Sequence, residues 1–117
     1  MHILVVDDDS LAGEMTSAIL EDAGYQVILA ENGLDAGHAL SEHSEIKLVI
    51  SDMHMPLVSG IDLFRSLRED GIDLPFILLT GDDPDVLLLE EPGLNGCLAK
   101  DDMLDVSLIK IVASLLG

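Results

Sequence analysis

The sequence predicts an α/β domain in which a parallel sheet carries helices on both faces. Apolar runs without polar alternation recur along it, ILVV (3–6), KLVIS (47–51) and FILLT (76–80), as in strands kept dry on both sides. Stretches of helical period lie between them, so strand and helix alternate five times and the crossovers should be right-handed.

The first strand gives way to acids at Asp7. A helix follows with Asp9 or Ser10 as cap, Leu11, Met15, Ala18 and Ile19 on one face, and Gly24 as a stop. A weaker strand, QVILA (26–30), precedes a helix opened by Asn32 that carries Leu34, Ala36, Ala39 and Leu40. After the third strand a helix begins at Ser59, with Asp62 at capping-box spacing, buries Ile61, Phe64 and Leu67, and stops before Gly71. In GDDPDVLLLEEPGL (81–94), Pro84 can start a helix that Pro92 must end early, leaving about two turns. GCLAK (96–100) supplies a fifth strand, and the tail sets Leu104, Leu108, Ile111, Val112 and Leu115 at helical spacing.

A chain of 117 residues has room for one domain, 1–117, able to bury roughly two thirds of its unfolded surface. Its 49% hydrophobic and 24% charged residues are those of a globular protein. No apolar run approaches the roughly 18 residues of a membrane span. MHILVVDDD reads as a strand and not a secretion signal. Cys97 alone forms no internal disulfide, which fits a cytoplasmic setting. Five basic against 23 acidic residues give a formal charge of −18, so the domain should repel nucleic acid and anionic membranes.

In an open sheet of this kind ligands collect at the carboxyl ends of the strands. Those ends bear Asp7 and Asp8, then Asp52, Thr80 and Lys100. Each has a plain structural reading: first-turn acids favoured by the helix dipole, a strand end, a solvated charge. Together, carboxylates converging on one edge repel one another unless a cation sits among them, and hard oxygen donors suit Mg²⁺. An acid, a hydroxyl, an ammonium and Mg²⁺ are the parts needed to move a phosphoryl group, with Asp52 as nucleophile.

DDD after the first strand, SDMHMPLVSG around the third, LLTG after the fourth and LAK after the fifth resemble the receiver domain of two-component response regulators. The likeness spans essentially the whole chain. It implies the flavodoxin-like doubly wound fold with strand order 2-1-3-4-5 and a short fourth helix here. It also implies that Asp52 accepts phosphate from a sensor histidine kinase or phosphotransfer protein. Asp8 would bind Mg²⁺ directly, Asp7 would act through its water shell, and the His54 backbone carbonyl would complete the protein ligands. Thr80 would turn toward the phosphoryl group and Lys100 would pair with one of its oxygens, while the His54 ring reads as a rim side chain.

Three departures from the family bear on output. Asp101 stands where a proline, often in a cis bond, usually follows the lysine, so a trans or rearranged loop is expected. Cys97 replaces the aromatic residue three positions before the lysine, and the segment 80–93 is about two residues short by comparison with the family. An atypical receiver that binds partners independently of phosphorylation is therefore the alternative function. A phosphohydrolase would want an acid where His54 stands, and a flavin carrier would not place DDDS under a phosphate.

Overall fold

Strands form where β-branched and leucine side chains alternate between two dry faces, and helices return the chain across those faces. The computed structural model describes residues 1–116. The elements run β1 (His2–Val6), α1 (Ser10–Asp22), β2 (Gln26–Ala30), α2 (Gly33–Glu42), β3 (Ile46–Asp52), α3 (Gly60–Glu69), β4 (Phe76–Thr80), α4 (Pro84–Glu90), β5 (Gly96–Ala99) and α5 (Leu104–Leu116). All pairings are parallel, and the strand order is β2-β1-β3-β4-β5, as the resemblance implied.

Alternation along each strand splits the core in two. Leu4, Val6, Val49, Phe76 and Leu78 pack with Ile61, Phe64 and Leu67 of α3 and Leu87 of α4. Ile3, Val5, Leu48, Ile50, Ile77 and Leu79 pack with Leu20 of α1 and Leu108 and Val112 of α5. Each fully buried leucine or isoleucine of this kind contributes about 1.5–3 kcal/mol, so the two layers hold the sheet rigid under the strand ends.

The helix caps follow their sequence signals. Asp9 caps α1 by accepting from the backbone of Leu11 and Ala12, and Asn32 caps α2 through Asp35. Ser59 and Asp62 form the reciprocal capping box of α3. Gly24 and Gly71 adopt positive φ after α1 and α3, the left-handed stop that glycine makes without strain. Helix α4 has seven residues, Pro84 lies in its first turn, and Glu91 caps its end just before Pro92.

The inward face of α1 differs from the expected one. Leu11 and Met15 are exposed, and Gly13, Thr16, Ser17 and Leu20 are the buried positions. A side chain on Gly13 would touch Leu29 and Asp7 at 3.4 and 3.6 Å, so α1 sits close to the sheet and small residues fill the gap. Ser17 becomes buriable by donating its hydroxyl to the Gly13 carbonyl at 2.9 Å. In α2, Leu34 likewise faces outward while Ala36 is buried.

Candidate functional site

Register brings the predicted residues together. Val6 lies opposite Ser51, Asp52 opposite Leu79, and Thr80 opposite Ala99. The residues at or just past these ends, Asp7, Asp52, Thr80 and Lys100, therefore share one edge of the sheet. Backbone bonds fix the exits: Asp7 N–H donates to Ala30 O at 3.0 Å, Met53 N–H to Leu79 O at 2.8 Å and Lys100 N–H to Thr80 O at 2.8 Å.

Asp52 is buried at 8% exposure, and its Oδ1 lies 2.7 Å from Lys100 Nζ. The same ammonium lies 3.6 Å from Asp7 Oδ2. Asp7 is buried as well, with Oδ1 accepting from Asp9 N–H at 2.9 Å, whereas Asp8 is exposed. Asp7, Asp8 and Asp52 each offer a carboxylate oxygen, and these three atoms lie within 4.8 Å of one another.

The electrostatics are those of a crowded acid site. Burial pushes the Asp7 carboxyl above the usual carboxylate range; the Asp9 N–H and Lys100 oppose this, while Asp52 and Asp8 add repulsion. Burial pulls Lys100 downward, but its bond to Asp52 and the charges of Asp52 and Asp7 outweigh that and hold the ammonium above its ordinary value. Lys100 is one cation facing three carboxylates, so the cluster keeps a local excess of negative charge.

The donor set fits a small divalent ion. Opposite ligands of octahedral Mg²⁺ stand roughly 4.2 Å apart, from bonds of about 2.1 Å. An oxygen spread of 4.8 Å needs only a small contraction, or a water between one acid and the ion. The cluster of three carboxylates could therefore hold a metal.

Thr80 is wholly buried, and its Oγ1 accepts from Asp82 N–H at 2.9 Å. The His54 ring stands on the rim, with Nε2 2.7 Å from Asp82 Oδ2. No peptide bond among the described residues is cis, so Lys100–Asp101 is trans, as expected with no proline there. Cys97 is buried in the layer that contains Phe64 and Leu87, and desolvation pushes its thiol up to about 11.

Two contributors escaped the sequence reading. Gly60 opens α3 against the Asp52 carbonyl, where a Cβ would come within 2.5 Å; a glycine directly after the Ser59 cap was the available signal. Asp82 matters through His54 and Thr80, and no local spacing signals that pairing.

A five-stranded doubly wound parallel sheet with an acid-lined crevice and one lysine at the carboxyl ends of its strands defines a flavodoxin-like domain. Comparison with known proteins gives the family. The model of the response regulator receiver domain matches residues 3–112, and the chain belongs to that family. It is therefore a receiver domain of two-component systems, a class of signalling switches. The chain is 45% identical over 80 residues to the probable transcriptional regulatory protein SilR of Salmonella typhimurium, covering 68% of this chain and 35% of that protein. It is 32% identical over 105 residues to the chemotaxis protein CheY1 of Helicobacter pylori, covering 86% of this chain and 85% of that one. Its fold matches the response regulator TrrA of Thermotoga maritima, solved in complex with Mg(2+)-BeF, with TM-score 0.86, 31% identity and 97% of both chains covered. The chain thus spans about a third of the length of SilR. No described helix is long and apolar enough to cross a membrane.

Proposed function

We propose that this domain is a Mg²⁺-dependent phosphoacceptor switch in which Asp52 takes a phosphoryl group from the phosphohistidine of a sensor kinase or phosphotransfer protein. The observation that carries it is the meeting of Asp7, Asp8 and Asp52 within 4.8 Å, with Lys100 Nζ 2.7 Å from Asp52. The Mg(2+)-BeF complex of TrrA, a relative of the same fold, supports the metal assignment. Asp8 and Asp52 would hold the ion directly, the His54 backbone carbonyl would join them, and Asp7 would act through water. When bound, the ion neutralises charge on the transferring group.

The chain's own residues do the rest. An Asp52 oxygen attacks phosphorus, the bond from phosphorus to the donor nitrogen breaks, and the leaving imidazole takes the electron pair. Burial strips water from the carboxylate, and the strand holds it in one orientation. Lys100, already bonded to Asp52, follows the charge onto a phosphoryl oxygen. Thr80 reaches the same group once its hydroxyl leaves the Asp82 N–H.

The test is incubation with acetyl phosphate and Mg²⁺, followed by intact-mass measurement. An acid-stable, base-labile phosphoryl adduct should form in the parent and be absent after chelation or in Asp52→Asn. An adduct that persists in Asp52→Asn would reject the assignment.

A second reading, a binding module indifferent to phosphorylation, is favoured by Cys97. A small buried thiol sits where the family carries a switching ring. It predicts equal partner affinity with and without beryllofluoride, and a large difference excludes it.

A further inference from the structure

Between the start of α2 and the β3–α3 loop runs a groove of about 380 Å³, floored by Leu34, Pro56, Leu57 and Val58 and bordered by Asp8 and Glu31. Val58 packs against Gly33, where an added Cβ would meet its Cγ1 at 3.4 Å, so helix and loop close the floor. Leu34 is 71% exposed and Leu57 wholly so. Leu57 is also the one non-glycine among the described residues at positive φ, 70°, a conformation that glycine or asparagine adopts with less strain. Nothing inside the domain offsets that strain, because the side chain is left in water. Backbone strain joined to an exposed apolar patch marks a binding surface.

Charge decides what covers it. None of the chain's five Lys and Arg residues borders this groove, whereas Lys100 and Lys110 border the two apolar grooves beside α5. We propose that the groove docks a basic amphipathic segment of a partner protein, its apolar side chains covering Leu34 and Leu57 and its lysines or arginines meeting Glu31 and Asp8. Such a segment gains leucine burial at the centre and opposite charge at the rim, and a domain of charge −18 attracts it from a distance. A symmetric second copy would instead lay the same acids against themselves. The inference stands apart from phosphoryl transfer, since it uses neither Asp52 nor Lys100, and its test needs no Mg²⁺ or phosphodonor.

The experiment titrates the isotope-labelled domain with a short amphipathic helical peptide of leucine and lysine and follows backbone amide shifts by NMR. Shifts should concentrate at Leu34, Leu57 and Val58, affinity should fall as salt rises, and a leucine–glutamate counterpart should not bind. Leu57→Asn, which tolerates positive φ, and Leu34→Ser should each weaken binding about tenfold or more, the factor that burial of one leucine is worth. Leu57→Asn should also melt no lower than the parent, so that unfolding does not account for its loss. Glu31→Gln should weaken binding and flatten the salt dependence. Leu89→Ser, at another exposed leucine on α4, should bind as the parent does. Absence of binding, shifts centred on Leu11 and Met15 of α1, affinity indifferent to salt, or parent-like affinity in Leu57→Asn overturns the proposal. So does self-association of the free domain that Leu57→Asn abolishes, which would assign the patch to a second copy.

Discussion

Replacing Gly60 by alanine tests how tightly the phosphoacceptor strand is held. Gly60 is the first residue of α3, and its N–H donates to Met53 O at 2.9 Å. An added methyl would lie 2.5 Å from the Asp52 carbonyl oxygen and 3.1 Å from Met53 Cα, and would also collide with Leu78 Cδ1. Carbon and carbonyl oxygen rest no closer than about 3.3 Å, so strand end or helix must yield by roughly 0.8 Å. The leucine can rotate, but the backbone of a central strand cannot. Two effects compete. Alanine gains about 0.5–1 kcal/mol over glycine in helix preference, whereas overpacking costs typically 1–3 kcal/mol. With backbone as the obstacle the upper figure applies, so Gly60→Ala should lose about 2 kcal/mol net, or roughly 10 °C in melting temperature. Gly37, exposed within α2 and with nothing near its missing Cβ, is the control: Gly37→Ala should gain about 0.5–1 kcal/mol. Thermal and urea unfolding measure both, and a phosphorylation time course should show Gly60→Ala slower as Asp52 shifts. Gly60→Ala as stable as Gly37→Ala would refute the reasoning.

Further outcomes follow from particular groups. Leu57 holds φ 70° with its side chain wholly exposed, so Leu57→Gly should raise stability by about 0.5–1 kcal/mol in urea unfolding, left-handed strain outweighing glycine's chain entropy. Cys97, buried with its thiol pushed up to about 11, should react with a disulfide reagent at pH 8 only at the rate of unfolding, and at once in denaturant. The Asp7 carboxyl titrates above its unfolded value of 3.8, so between the two values the folded state holds the extra proton and falling pH favours folding through this group. Without divalent ions, Asp7→Asn should therefore melt higher than the parent at pH 7, with the gap closing as pH falls through that window. Mg²⁺ at tenfold its dissociation constant should add about 1.4 kcal/mol to the parent, and much less to Asp8→Ala, in melting curves.

The strands and the site edge were readable because uninterrupted apolar runs end abruptly in Asp7, Asp52 and Thr80. Parallel register then leaves those ends little freedom. Helix α3 was readable for a similar reason: its cap and its apolar stripe agree. The inward face of α1 was not, because close approach to the sheet selects Gly13, Thr16 and Ser17, which carry no apolar period. Leu11 and Met15 have that period and face solvent. The partner of the His54 ring was equally hidden. Its position is set by two loops that meet only when β3 and β4 pair, and a pattern within either loop says nothing of the other.

The most direct measurement is to locate the acyl phosphate. Treating the phosphorylated domain with borohydride reduces an aspartyl phosphate to homoserine, and peptide sequencing by mass spectrometry then reads the position. The account predicts homoserine at residue 52, formed only when Mg²⁺ was present during loading. Homoserine at Asp7 or Asp8, or a residue 52 that remains aspartate while the protein carries phosphate, would contradict it.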